Sequence, residues 1–414
     1  MTAPRSIPAA RYAWVVVLLL WPVVTLNYLD RQMVSTVRAS MRADIPSIGS
    51  EQDFGTLMAV FMWVYAMLSP VGGFFADKFS RRWMVIGSLF VWSTVTYLTG
   101  HARTYHEMLV YRGLMGISEA FYMPAALAMV TDYHPGATRA RAVGFHQTGI
   151  YAGMALGGIG GYIAQTSTWR NCFTWFGAAG VIYAVVLLFS LKKESRAPGG
   201  ASKAEAMGTL GQTLGALLSL PAFWILTIYF TLPAISGWLA KNWVPTFLAD
   251  TFHLKEGPAG LSATGYIHLA SLAGVLIAGA LADAWMRRTP RGRIFTSALG
   301  TLAMAPALVG LGLGWNMHAA IFCMILYGLG WGFFDCNSMP ILCQVVRSEH
   351  RATGYGIMNL VSISVGAGAT VCFGWLRDHH INMFMAFAIA AALALFSAAL
   401  ILRLKPRADA APVA

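Results

Sequence analysis

About twelve stretches of this 414-residue chain are each long and apolar enough to cross a bilayer, a helical span needing roughly 20 mainly apolar residues. They lie near 12–36, 54–76, 83–101, 105–130, 142–165, 171–191, 221–249, 259–283, 293–314, 317–346, 351–376 and 381–403. In lipid a segment must satisfy its own backbone N–H and C=O groups, which leaves helices as the structure for spans of this length. The expected fold is an all-α membrane protein of twelve transmembrane helices. Composition agrees, with 57% hydrophobic and 11% charged residues where a soluble domain carries about 25% charged. The first apolar run follows Arg11 and outlasts the h-region of a signal peptide, with no small-residue cleavage site behind it, so it reads as helix one.

A net charge of +12 invites a nucleic-acid reading, which its distribution removes. With both termini placed in the cytoplasm, twenty of the 29 Lys and Arg fall on the cytoplasmic side: Arg5, Arg11, Lys78, Arg81, Arg82, Arg139, Arg141, Lys192, Lys193, Arg196, Lys203, Arg287, Arg288, Arg291, Arg293, Arg347, Arg351, Arg403, Lys405 and Arg407. Seven fall outside, and Arg31 and Arg112 lie within spans. That asymmetry is the positive-inside rule. It predicts a multi-pass protein of a bacterial inner membrane, with cytoplasmic termini and no nucleic-acid partner. The five cysteines (Cys172, Cys323, Cys336, Cys343, Cys372) sit in or beside spans without metal spacing and read as small buried apolar residues. No Walker, Rossmann or metal motif occurs at a usable position, so the sequence supports neither an enzyme, a primary pump nor a bound cofactor.

The chain repeats itself. GGFFADKFSRR at 72–82 matches AGALADAWMRR at 278–288, setting Asp77 over Asp283 and Arg81-Arg82 over Arg287-Arg288. Tyr111–Pro124 aligns with Tyr327–Pro340, matching Gly116 with Gly332 and Glu119 with Asp335; RAVGF at 141–145 then matches RATGY at 351–355. The order is kept, with offsets of 206, 216 and 210. Two six-helix bundles follow, 1–191 and 221–414, joined by a polar cytoplasmic linker at 192–220. Duplication of this kind places a site between two related halves. The Gly-x-x-x-Asp-Lys-x-x-Arg-Arg pattern, with Ser80 in place of its second glycine, resembles the signature of the major facilitator superfamily. In physical terms the acid at one helix end pairs with loop arginines and latches one conformation, a role expected of Asp77, Arg81, Arg82, Asp283, Arg287 and Arg288.

Ionisable residues inside a membrane are costly, about 2.5–3.5 kcal/mol each on insertion scales, and mark function. Here they are Asp30 and Arg31 on helix one, Arg112 and Glu119 on helix four, and Asp335 on helix ten. Seven residues separate Arg112 from Glu119, so the two share a helix face about 10 Å apart. An Asp30–Arg112 pair across helices one and four is expected, with Arg31 turned toward a cavity. Desolvation favours a protonated carboxyl and a nearby arginine favours the ionised one, so a carboxyl moved between such settings loads and releases a proton. A dry arginine offers a bidentate fork for a carboxylate. Acid plus arginine therefore predict proton-coupled uptake of a small organic anion, with Asp30, Glu119 and Asp335 as proton sites.

NYLDRQ at 27–32, FMWVY at 61–65 and YRGLMGISEAFYMPA at 111–125 resemble the anion:cation symporter branch of that superfamily, which imports sugar acids and related carboxylates. The resemblance covers nearly the whole chain. It implies proton coupling through Asp30 and Glu119, a substrate carboxylate on Arg31, and Arg112 as partner of the helix-one acid. It also implies polar substrate contacts from Asn27, Tyr28, Tyr65 and Asn359, with Gln147 as a further candidate in GFHQTGIY, where the branch's own pattern is not kept. Asp335 is foreign to that branch and reads either as a second proton site or as a structural acid. ISEAFYMPAALAMVTDYHP followed by RAVGF also resembles spinster-type transporters, so export of a lysolipid or other amphiphile is the alternative, with drug efflux and ligand sensing behind it.

Weaker signals complete the reading. His146 and His268 read as neutral core imidazoles or proton relays. Pro233 and Gly237 are expected to break helix seven, and Lys241 beyond them to snorkel to the interface. Glycines at 153, 157, 158, 160, 161, 366 and 368 read as close helix packing. The partners expected are a small organic anion, protons and the lipid bilayer, with the protein a monomer.

Overall fold

The computed structural model describes residues 7–134, 136, 138–192, 210–347 and 350–406. Arg5, Lys193, Arg196, Lys203, Arg407 and the side chain of Asp77 lie outside the described residues. Regular structure among the described residues is helical throughout. The helices are α1 (Ile7–Thr36), α2 (Arg38–Asp44), α3 (Glu51–Lys78), α4 (Arg81–Thr99), α5 (Tyr105–Ala120), α6 (Tyr122–Tyr133), α7 (Arg139–Leu156), α8 (Ile159–Thr166) and α9 (Trp169–Ser190). There follow α10 (Leu210–Leu218), α11 (Pro221–Phe252), α12 (Glu256–Met286), α13 (Gly292–Leu313), α14 (Met317–Val345), α15 (Arg351–Asp378) and α16 (Met383–Ile401).

Ten of the twelve expected spans are helical stretches long and apolar enough to cross a membrane unaided. The other two are α4, which is only 19 residues and carries serine and threonine, and α7 with α8, which holds His146, Gln147 and a run of glycines. Both are spans diluted by polar or small residues. Of the linker drawn at 192–220, residues 210–218 form α10.

Prolines act differently according to what replaces their missing N–H. Pro124 cannot donate to the carbonyl of Ala120, and there the fourth span divides at Phe121 into α5 and α6. Helix α11, by contrast, runs unbroken through Pro233, Gly237 and Pro245, against the break expected from the sequence. The carbonyl that Pro233 leaves without its helical donor is that of Tyr229, and it accepts a hydrogen bond from the Ser397 hydroxyl at 3.1 Å.

Contacts divide the chain into two units, one of residues 1–49, 56–195 and 254–265, the other of 50–55, 196–253 and 266–414. Inside the first, α1 packs on α7, and α4 packs on α9 and on α5. Inside the second, α11 packs on α15, and α13 packs on α16 and on α14. Numbered by span, the pairings are one with five, three with six and three with four, then the same again six spans later. Duplication legible in the sequence is thus repeated in the packing. Close approach needs glycine at the α1–α7 seam, where a Cβ on Gly153 would strike the carbonyl of Thr25. Gly368 has open space around its Cα and takes no part in such packing. Cys172 and Cys323 are buried as expected, whereas Cys372 is exposed.

Candidate functional site

The charged residues of the first unit gather around Arg31. Its Nε donates to Glu119 Oε2 at 2.5 Å, and the Glu119 side chain is wholly buried. Three aromatic rings box the guanidinium, with centroids at 4.6 Å (Tyr28), 4.9 Å (Phe61) and 4.5 Å (Tyr65). A planar cation is held well by ring faces, each contact contributing about 0.5–2 kcal/mol. Phe61 and Tyr65, one turn apart on α3, stack at 5.9 Å. The Phe61 ring also lies 4.6 Å from the Arg112 guanidinium, so it lies close to both arginines.

The Asp30–Arg112 pair expected from the sequence is not formed. Asp30 Oδ2 instead accepts from the Thr96 hydroxyl of α4 at 3.1 Å. Arg112 donates through Nε to the carbonyl of Leu57 (3.4 Å) and approaches the Met115 sulfur at 3.2 Å. Nor does Arg31 point to open cavity, being committed to Glu119. The reason is helical geometry: adjacent residues diverge by about 100° around the axis, so Asp30 and Arg31 cannot both face α5. Arg31 takes that direction, and Asp30 turns to α4. Asp30, Arg112 and Glu119 remain within electrostatic range of one another. Arg112 and Glu119 share a buried face of α5, as their spacing requires.

Several buried polar atoms here are left without a close hydrogen-bond partner in the protein: Asn27 Oδ1, Asp30 Oδ1 and Arg31 Nη2. Asn27 lies beside Glu119. Gln147, also with an unpartnered buried Oε1, lies on α7 next to His146. His146 Nε2 is 3.2 Å from the Tyr122 hydroxyl, which reaches the Leu20 carbonyl at 3.3 Å.

In the second unit, Asn359 is half-buried on α15, and Asp335 is exposed on α14 where its repeat counterpart Glu119 is buried. Lys241 does not snorkel to the helix end: its ammonium rests against Trp238 (4.7 Å) and Trp331 (5.4 Å). At the signature loops, Arg81 pairs with Asp132 at the end of α6 and donates to the Ala128 carbonyl, while Arg82 donates to Leu188 at 2.5 Å. Asp283 pairs with Arg293 at 3.0 Å rather than with Arg287 or Arg288. Arg293 enters from the first turn of α13, whereas Arg287 and Arg288 lie exposed past the end of α12.

Sequence reasoning missed Phe61 and Thr96. Phe61 had a signal, standing four residues before Tyr65 and therefore on the same helix face. Thr96 had none, because a threonine within a span bonds its own helix as readily as a distant acid.

Residues 20–371 match the family model described as Major Facilitator Superfamily. Over 393 residues the chain is 27% identical to Protein spinster of Drosophila melanogaster, covering 90% of this chain and 63% of that protein, so it spans a little under two-thirds of this relative. It is 25% identical over 397 residues to the D-galactonate transporter of Escherichia coli, covering 89% and 90%. Among solved structures, a bacterial homologue of the human lysosomal transporter spinster matches with a TM-score of 0.76 at 21% identity, over 98% of this chain and 96% of that one.

Proposed function

Because the chain belongs to the Major Facilitator Superfamily, and is therefore a transporter and not an enzyme, we propose that it is a proton-coupled symporter importing a small organic anion, such as a sugar acid, by alternating access. The observation that carries this is the buried Arg31–Glu119 pair. With Glu119 ionised, the guanidinium is neutralised and an arriving anion meets no net charge. A proton on Glu119 removes the compensating charge while the three rings keep the guanidinium in place. In a low-dielectric setting that uncompensated cation attracts an anion strongly. Proton and anion thus load together, with Arg31 Nη2 as the donor not engaged by Glu119. Asp30, bonded only through Oδ2, is the second carboxyl available for a proton, with Arg112 in electrostatic range. In the first unit, Asn27, Tyr28, Tyr65 and Gln147 offer the hydroxyl and amide groups that a polyhydroxylated acid requires. Likeness to a D-galactonate transporter supports this class of cargo.

On the distribution of basic residues we place both termini in the cytoplasm and the protein, as a monomer, in a bacterial inner membrane. The two halves divide at the linker 192–220, and Asp335 serves either as a further proton site or as a structural acid. Likeness to spinster favours a second reading, export of a lysolipid or other amphiphile.

One experiment separates them. Proteoliposomes with an imposed inward proton gradient are offered D-galactonate, D-gluconate, lactate and sulfoacetate, alongside Glu119→Gln. Saturable, gradient-dependent uptake of one acid, abolished in the variant while exchange without a gradient persists, is the expected result. Uptake of none, with binding of lysolipid instead, transfers the chain to the exporter reading.

A further inference from the structure

Helix α3 belongs to both units: its first turn, within residues 50–55, falls in the second, and residues 56–78 fall in the first. The amides at its start are served from two directions. A local capping box joins Ser50 and Asp53, the Asp53 N–H donating to Ser50 Oγ at 2.9 Å and the Ser50 N–H to Asp53 Oδ2 at 3.0 Å. That box leaves the amides of Glu51 and Gln52, which a helix start cannot bond for itself. Both donate to the carboxylate of Asp378, the last residue of α15, at 2.8 and 2.9 Å. Shape seats the same turn. A Cβ on Gly374 would strike the carbonyl of Glu51, and one on Gly55 the carbonyl of Thr370. Phe54 meets the Trp243 ring of α11 edge-on at 6.3 Å, and Arg377 reaches Asp250 at 2.5 Å and Glu51 at 3.7 Å.

Further along, the same helix carries contacts of the Arg31 site. Leu57, whose carbonyl accepts from Arg112, follows Glu51 by six residues, and Phe61 and Tyr65 follow it by ten and fourteen. At 1.5 Å per residue they stand about 9, 15 and 21 Å along the axis. The helix reaches its proline, Pro70, only beyond Tyr65, so a fixed first turn sets the height and rotation of all three. Cation–π attraction needs a ring within about 6 Å of the guanidinium, and a helix that slides or turns takes its rings out of that range. We infer that Asp378 is a positioning residue for the Arg31 site: by capping α3 from the end of α15, it sets where Phe61 and Tyr65 meet the Arg31 guanidinium and where Leu57 meets Arg112.

For anion binding this rests on the importer reading, and the test keeps the two apart. Full-length protein with fluorotyrosine in place of Tyr65 is followed by fluorine NMR in detergent, without any acid present. Gradient-driven uptake of D-galactonate, D-gluconate, lactate and sulfoacetate is measured in proteoliposomes in parallel. The variants are Asp378→Ala, Asp378→Ser, Asp378→Asn and Thr370→Val. The last breaks the 3.0 Å bond from Asn242 in the same junction and leaves the cap of α3 intact, so it reports what loosening alone does. Asp378→Ala should displace the Tyr65 resonance beyond its linewidth and raise KM severalfold, with the maximal rate within about twofold. Asp378→Ser, a shorter acceptor, should show the same displacement in smaller degree and stands in if Asp378→Ala does not fold. Asp378→Asn keeps an acceptor for the amides and should restore much of both readouts, whereas Thr370→Val should move neither. An unmoved resonance in the alanine and serine variants, an equal displacement in Thr370→Val, or a displaced resonance with KM unchanged overturns this inference and leaves the importer standing. A displaced resonance in a protein whose wild type takes up none of the acids upholds the positioning and overturns the importer.

Discussion

Replacing either partner of the Arg31–Glu119 pair should destabilise the protein, but in two different ways. Removing one member of a buried ion pair typically costs about 3–5 kcal/mol, because it strands a charge away from water. The stranded groups differ in their escape. A carboxyl left alone binds a proton and becomes neutral, whereas a guanidinium stays charged at any accessible pH. Glu119→Leu therefore leaves a buried cation among Tyr28, Phe61 and Tyr65, and should incur the full loss at every pH. Arg31→Met leaves a carboxyl that is protonated, and nearly harmless, in acid. As pH rises that carboxyl must either ionise in a dry site or hold its proton against the solvent, so the loss should grow from pH 5 to pH 9. The double variant Arg31→Met with Glu119→Leu strands nothing and should recover most of the stability, since apolar replacement of a buried pair is often neutral or favourable. Thermal unfolding of detergent-purified protein by size-exclusion fluorescence, at one heating rate and three pH values, reads all four proteins. Losses in the double variant equal to the sum of the singles would show that the two residues act independently. A pH-independent loss in Arg31→Met would refute the protonation argument.

Three further outcomes follow from particular contacts. Thr96→Val removes the hydroxyl that Asp30 Oδ2 accepts and should cost about 1–3 kcal/mol as a buried acceptor loses its donor; thermal unfolding measures it, and Thr96→Ser should restore it. Ser397→Ala strands the Tyr229 carbonyl that Pro233 cannot serve, a cost of the same order, about 1–3 kcal/mol. Adding Pro233→Ala gives that carbonyl a helical N–H again, so the double variant should be more stable than Ser397→Ala alone. Phe61→Leu removes the ring near both Arg31 and Arg112, a loss of about 0.5–2 kcal/mol for each cation–π contact, and should raise KM for the anion severalfold in the uptake assay while the proton dependence is kept.

How far the sequence reaches depends on what kind of physics sets each feature. Span count, order and duplication are legible because the bilayer imposes a length and a polarity on every segment, whatever packs beside it. Even the two diluted spans, α4 and α7 with α8, can be placed by their position between clear ones. The residues that gather around Arg31 stand out in the sequence for the same reason: Asp30, Arg31, Arg112 and Glu119 are ionisable groups placed in lipid, where each is costly. Their pairing is not legible. Whether Arg31 or Asp30 faces α5 depends on a rotation of α1 about its axis, and the charges themselves permit either arrangement. Asp283 shows the same limit, because its spacing to Arg287 and Arg288 is local while Arg293 arrives from the next helix. A lysine in a span reads as snorkelling to the interface; only the placement of α14 brings the Trp331 ring to the Lys241 ammonium.

The duplication shows where the charge chemistry was kept. A Cβ on Gly116 would meet the carbonyl of Phe61 and the amide of Tyr65; one on Gly332 would meet those of Ser271 and Val275. Both pairs are related by the same shift of 210 residues, and the glycines by 216, so the two helix crossings share one register. In that register Arg112, which donates to the Leu57 carbonyl, corresponds to Gly328, whose Cα lies against the carbonyl of Ile267. The same backbone oxygen thus receives an arginine in the first unit and a bare glycine in the second. Glu119 corresponds to Asp335, buried in one unit and exposed in the other. The second unit has therefore not retained the arginine found at that crossing of the first, and its half-buried cation, Lys241, stands on a different helix against two tryptophan rings.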